Sequence, residues 1–431
     1  DAFVHELIDA IVGDNYPVPD HMLVHAERVV HEYLLEAMCG MPRPAGQFDL
    51  FAVEGGTAAI CYIFRSLKAN RLVRSGDRIA LGTPIFTPYL EMPELEDYGL
   101  EPVYIDAPHD NGFQFTDAEL AKLNDRRIKA FFLVNPGNPT SVAISPAVRG
   151  KIAELVRCRR PELMLLTDDV YATFVDDFRS LMGELPHNPI GVYSYSKYFG
   201  CTGWRLGVIA IHRDNVFDRA ITALPEADRQ ALRDRYRALT PEPATLRFID
   251  RLVADSRDVA LNHTAGLSTP QQAMMTLFSL VELCDRQRAY RQACTGILRR
   301  RVAALCEGLG LKVQPGPLFD SYYGLIDLEY WLCRYLGPDV AGFIKQNVHP
   351  LDIVFRLARD YGIVLLNGGG FQAPDWSVRV SFANLNDAVY DDIGRAVREI
   401  AQDYARAFEA AQPTGGAPTP AEHCWPRKPT S

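Results

Sequence analysis

No apolar run in these 431 residues reaches the roughly 18 that a membrane-spanning helix needs. The opening DAFVHELIDA has neither the basic stretch nor the apolar block of a secretory leader. Positive charge is not in surplus either, since 45 Lys and Arg stand against 54 Asp and Glu for a net charge of -9. That excludes a broad basic field for nucleic acid or an anionic membrane and leaves small molecules as the expected partners. Nine cysteines occur at Cys39, Cys61, Cys158, Cys201, Cys284, Cys294, Cys306, Cys333 and Cys424, with no CxxC pair and no zinc spacing. No metal site is expected, and the odd, unpatterned set suits a reducing cytoplasm. Internal repeats are lacking as well.

What is present is enough apolar residue, 48%, to bury a large core in two or three domains. Short runs rich in Val, Ile and Phe alternate with helical patterns, as in strands joined by crossover helices in a mainly parallel sheet. RIALGTP, KAFFLVNP, LMLLTDD, PIGVYSYS and RLGVIAI read as buried strands. Helices are predicted from Thr57 to Val73, after a glycine pair, and from Ser145 to Arg157, after a Ser-Pro start. From about 213 to 262 the sequence turns polar and helical and reads as an insertion whose mixed-charge surface serves higher assembly. A helix long enough to bridge domains follows STPQQAMMTLF, and alternating elements to about Gln412 predict a smaller α+β domain. The tail PTGGAPTPAEHCWPRKPTS is expected to be loosely ordered.

The chemistry starts at YSYSKYFGCTGWRLG, where Lys197 stands among Ser194 and Ser196, with Arg205 eight residues on. A lysine at the end of a buried strand is costly unless its charge is partnered or its pKa lowered, and a lowered pKa makes the amine a Schiff-base nucleophile. Serines and an always-charged guanidinium suit a phosphate dianion. Lysine beside a phosphate anchor points to pyridoxal phosphate. That cofactor needs a second phosphate cradle, and VEGGTAAICYIF sets Gly55, Gly56 and Thr57 at a helix start, where free N-H groups favour an anion. It needs a carboxylate for the pyridine nitrogen, and LLTDDVYATF ends an apolar strand at Asp168, with Tyr171 three residues on for the ring oxygen. Asn138 in LVNPGNPTS offers an amide to the ring oxygen and to a substrate carboxylate, and Phe86 in PIFTPYLE offers a ring to stack. Taken singly, each also reads as a turn, a cap or core packing; together they lie at successive strand ends, where ligands gather in open α/β sheets.

At this point the chain resembles the fold-type I aminotransferase superfamily, carried by SYSKYFGCTGWRLG, DDVY, NPGNPT and GGTA in that family's order and spacing. The resemblance implies an α/β fold-type I PLP-dependent transferase, with a large domain built on a mainly parallel seven-stranded sheet plus a small α+β domain. Its divisions would be 1–35 as an N-terminal segment of the small domain, 36–290 as the cofactor domain, 291–412 as the small domain and 413–431 as a tail. It makes Lys197 the Schiff-base residue and proton shuttle and Asp168 the partner of the ring nitrogen. Tyr171 and Asn138 would sit at the ring oxygen, Phe86 on the ring face, and Gly56, Thr57, Ser194 and Arg205 at the phosphate. Arg379 in SVRVSFAN matches the arginine that grips the substrate α-carboxylate. Tyr16 in NYPVPDHM matches the tyrosine that crosses a dimer interface to the neighbouring phosphate, which would make a homodimer the minimal active unit.

A narrower similarity to the aspartate 4-decarboxylase branch rests on HPLDIVFRLARDYGIVLLNGGGF, RVSFANLND and the insertion before GLSTPQQAMM. It implies β-decarboxylation of L-aspartate to L-alanine and carbon dioxide, with slow transamination beside it. The rivals are a plain aspartate or aromatic aminotransferase, a regulator using such a domain as a sensor, and a scaffold without catalysis. No ligand for the distal carboxylate is evident. The first residue is not methionine and falls inside an amphipathic pattern, so an upstream segment that closes over the substrate is expected.

Overall fold

Why the apolar runs become strands is plain from their burial: IKAFFLV and MLLTD are covered on both faces, as a sheet between two helical layers requires. The computed structural model of the chain describes His5 and residues 20–260, 266–312 and 315–411. Its large sheet contains β1 (Phe48–Val53), β2 (Arg78–Thr83), β3 (Glu101–Asp106), β4 (Ile128–Val134), β5 (Met164–Asp168), β6 (Pro189–Ser194) and β7 (Gly207–His212). The order is β1-β7-β6-β5-β4-β2-β3. Strands β3, β2, β4, β5 and β6 run parallel, and β7 pairs antiparallel with both β6 and β1. A second sheet has the order β8-β10-β9, from β8 (Tyr323–Asp327), β9 (Leu366–Asn367) and β10 (Ser377–Ser381). The expected α/β architecture with a seven-stranded, mostly parallel sheet is therefore observed.

The five expected strand runs are β2, β4, β5, β6 and β7. The expected helices form as Gly56–Ala69 and Pro146–Arg159, the latter capped by the Ser145 hydroxyl, which accepts from the Val148 amide. The glycine pair has a geometric reason. Gly55 has φ 91°, and a Cβ on it would run into the Arg205 guanidinium; a Cβ on Gly207 would meet the Gly55 backbone. Only glycines let β1, β7 and the helix start close around Arg205.

Residues 24–35, expected with the small domain, pack instead on the large sheet. Helix Val24–Leu34 turns Ala26, Val30 and Tyr33 into a core shared with Phe48, Leu50, Tyr193 and Tyr195, because its apolar face matches the outer face of β1 and β6. Near the small sheet, helices Ala289–Gly308 and Asp387–Ala411 enclose a core with Trp331, Tyr390 and Ile393. A short bridge joins the two regions: Val142 pairs with Phe319, and the Tyr323 amide donates to Ser141 Oγ at 2.8 Å.

The polar 213–262 segment has two faces. Glu226 pairs with Arg229 and Arg233 in solvent, whereas Phe217, Leu232, Tyr236, Phe248 and Leu252 join the core around helix Gly56–Ala69. Asp255, 1% exposed, anchors it by accepting from Ser66 Oγ at 2.7 Å, Asn70 Nδ2 at 3.0 Å, the Tyr236 hydroxyl and Arg235 Nη2 at 2.7 Å. Asp255→Ala strands these donors, so thermal unfolding should show a loss of about 3–5 kcal/mol. Glu226→Ala, in an exposed pair, should leave the unfolding transition essentially unmoved.

Candidate active site

Four strands of the large sheet end on one cavity. Asp168 closes β5, Ser194 closes β6, the turn after β4 carries Asn138, and the turn after β2 carries Phe86. The cavity has a volume of about 140 Å³, and Gly56, Thr57, Tyr171, Lys197 and Arg205 complete its predicted lining. Gly55 stands just outside it, against the Arg205 guanidinium. Tyr16 lies outside the described residues.

At one end the groups suit an anion. Helix Gly56–Ala69 points its amino end at the cavity, and Arg205 arches over Gly55, its Nη1 donating to Thr202 O at 2.9 Å and its Nη2 to Glu54 O at 3.2 Å. Arg205 adopts a left-handed backbone, φ 56°, an uncommon conformation for a residue other than glycine. Ser194 Oγ lies within hydrogen-bonding reach of Ser196 Oγ at 3.0 Å and of the Leu206 carbonyl at 3.1 Å, which holds both hydroxyls at the cavity wall.

At the other end is a carboxylate removed from water. Asp168 is 4% exposed and accepts from the Tyr89 hydroxyl at 2.9 Å and the Val170 amide at 3.2 Å. Burial pushes its pKa up to about 6; the Tyr89 and Val170 donors and the Lys197 charge pull the other way. A buried acid with so few donors is suited to a further cationic donor from the cavity. Lys197 is half-buried at the turn after β6, its Nζ 5.7 Å from the Tyr322 ring centroid.

Arg379, on β10 of the second sheet, reaches the same place. Its Nη1 donates to Asn138 Oδ1 at 2.8 Å, and its guanidinium carbon lies 4.3 Å from the Tyr323 ring centroid and 4.8 Å from that of Phe371. The Tyr171 hydroxyl donates to the Tyr323 hydroxyl at 3.3 Å. Two aromatic faces thus hold the planar cation, leaving its edge for a planar anion. Phe86 meets Tyr89 edge to face at 5.3 Å between centroids.

Tyr89 and Tyr323 are functional candidates that the motif reading passed over. Each carries a weak signal: Tyr89 stands three residues after Phe86 in one stretch, and the Tyr322-Tyr323 pair opens a strand, where a buried phenol must find a partner.

With this geometry in view, the chain can be set beside known proteins. The profile of the family described as aminotransferase class I and II matches residues 49–397. A bifunctional aspartate aminotransferase and L-aspartate beta-decarboxylase from Pseudomonas sp is 51% identical over 409 residues, 95% of this chain and 77% of the relative. Nicotianamine aminotransferase B from Hordeum vulgare is 22% identical over 382 residues, 86% of this chain and 58% of the relative. Among solved structures, the aspartate aminotransferase from Thermus thermophilus with maleate superposes with a TM-score of 0.64 at 19% identity, covering 94% of this chain and 87% of that one. The aromatic aminotransferase from Pyrococcus horikoshii OT3 gives 0.65 at 18% identity, covering 94% and 92%. At such identities the structures share the fold.

The Asp168 environment yields a pH prediction. The Tyr89 hydroxyl favours the charged carboxylate, so Tyr89→Phe should raise the titration midpoint of Asp168 by about 1 unit or more. Carbon NMR of aspartate-labelled protein would check it; an unchanged midpoint would show that the phenol does not support the carboxylate.

Proposed function

From the premise that the chain belongs to the class I and II aminotransferase family, whose members work with pyridoxal 5'-phosphate, we propose that it β-decarboxylates L-aspartate to L-alanine and carbon dioxide and transaminates aspartate as a side reaction. The cavity fits the cofactor on its own terms. Arg205 and the helix start at Gly56 and Thr57 gather positive potential at one end, and Asp168 supplies a buried acid at the other. A dianionic phosphate and a protonated pyridine nitrogen are the complements of those two ends.

In this reading Gly55, Gly56, Thr57, Ser194 and Arg205 hold the phosphate, with Tyr16 added from a neighbouring subunit. Asp168 would keep the ring nitrogen protonated, Tyr171 and Asn138 would face the ring oxygen, Phe86 would cover the ring, and Lys197 would hold the aldehyde carbon. When bound, the cofactor supplies an electron sink that stabilises negative charge developing beside the substrate's amino group. Lys197 then removes and returns the proton at the substrate Cα, a task for an amine released next to the reacting carbon. Arg379 and Asn138 grip the α-carboxylate and so fix the bond to be broken relative to Lys197. Tyr323 and Phe371 exclude water along the guanidinium faces.

The relative of 51% identity carries the choice of decarboxylation over plain transamination. A decarboxylase gains by leaving the distal carboxylate weakly solvated, and the aromatic side of this cavity supports that. We propose a homodimer as the working unit, because Leu277 and Val281 of helix Thr269–Cys284, and Trp204, whose ring meets Phe278 of that helix, are apolar at 45%, 56% and 49% exposure. Among the described residues seven cysteines are free thiols, Cys333 is disulfide-bonded, and no helix is long and apolar enough to cross a membrane.

The test uses the cofactor-loaded protein with L-aspartate labelled at C4 and no added keto acid. Alanine and labelled carbon dioxide should appear together over many turnovers. A single turnover to oxaloacetate that resumes only on adding a keto acid would identify an aminotransferase instead.

A further inference from the structure

Behind Lys197 the chain turns away from the cofactor cavity, and the next residue, Tyr198, faces a second one. This cavity, of about 610 Å³, shares no lining residue with the first. The Tyr198 hydroxyl donates to Glu282 Oε1 at 2.9 Å on its wall, and the Tyr198 carbonyl accepts from the Tyr290 hydroxyl at 2.9 Å.

The walls carry opposite, incompletely neutralised charges. On one side Glu282 is raised by burial and by the nearby charges of Asp285 and Glu36, which also line the cavity, while Tyr198 and Arg291 temper it. On the other, Arg149 is lowered by burial and by repulsion from Arg179; both line the cavity, each with a side chain 15% exposed. They share one carboxylate, Glu184, at 3.9 and 3.4 Å, with Arg157 at 3.1 Å, and among the described residues Arg179 otherwise donates to the backbone carbonyls of Cys39, Pro42 and Gly183. Between these walls, Thr173, 6% exposed, stands near enough to Tyr193 to perturb that phenol, yet among the described residues its Oγ1 makes no well-formed hydrogen bond. The buried Nε of Arg291 has none either.

A ligand with a single charge would relieve one wall and leave the other strained. An ammonium at Glu282 and a carboxylate at Arg149 and Arg179 would relieve both, and the Thr173 hydroxyl would gain a partner. We propose that this cavity is a second, non-catalytic binding site for a free amino acid zwitterion, which acts on the enzyme through the Glu282–Tyr198 hydrogen bond beside Lys197. Once the ammonium neutralises Glu282, the Tyr198 phenol is held less tightly, and the turn carrying Lys197 feels the change. The site stands on the cavity and its walls; only its influence on turnover rests on the function proposed above.

The experiment blocks the first cavity and probes the second. Cofactor-loaded protein is reduced with borohydride, and retained cofactor absorbance reports separately whether that pocket was filled as proposed. Each of the twenty protein amino acids is then tested for saturable binding by thermal shift, and any that bind are measured by equilibrium dialysis. At least one should bind with one equivalent per chain. Glu282→Gln, which keeps an acceptor for Tyr198 but removes the charge, should weaken it at least tenfold, and the isosteric Thr173→Val several-fold, with melting temperatures confirming that each variant folds. Absence of saturable binding across all twenty, or binding unchanged in whichever variant folds, would overturn the proposal.

Discussion

Asp168 sits at the end of β5 almost wholly shielded from water, and a carboxylate there is tolerable only while donors face it. Tyr89 and the Val170 amide supply two of them. Burial still holds its pKa near 6, so a cationic partner on the cavity side would relieve the remaining cost. The protonated nitrogen of pyridoxal phosphate is such a partner, and its other end needs an anion site. The distance between ring nitrogen and phosphate is fixed by the cofactor, so in the proposed function the strand ends, the Gly56 helix start and Arg205 would have to hold their spacing. That requirement accounts for the glycines at Gly55 and Gly207, the left-handed Arg205 and the buried serines.

In the proposed function, substrate recognition hangs on a contact between the two sheets. Arg379 belongs to β10, Asn138 follows β4, and their hydrogen bond joins the regions at the place where the α-carboxylate would be gripped. The bridge from Val142 to Phe319 and the Tyr323–Ser141 bond hold the same two regions in register a few residues away. Aromatic faces on Arg379 then fix the plane of the guanidinium, a role a lysine could not fill.

Much of this was legible in the residues. Parallel strands buried on both faces show as unbroken apolar runs, so β2, β4, β5, β6 and β7 could be placed and with them the residues at their ends. Strands β1 and β3 were less so, since FDLFAV interrupts its run with Asp49 and EPVYID carries proline and two acids. Helix Val24–Leu34 was misassigned because its amphipathic face says that it packs, without saying on which sheet. The 213–262 segment looked solvated because charge dominates its count, while nine buried apolar residues between Val216 and Val253 do the anchoring. Tyr89, Tyr323 and Phe371 escaped notice for another reason. Their roles come from what folding brings beside them, Asp168 in one case and Arg379 in the others.

The central claim is that one lysine, facing one buried aspartate, holds the cofactor. Loading the protein with pyridoxal phosphate, reducing it with borohydride and mapping the modified peptide by mass spectrometry tests this most directly. The account predicts a single modification, at Lys197, that the Asp168→Asn protein retains poorly. Modification spread over exposed lysines such as Lys151 and Lys345, with Lys197 unmodified, would contradict it.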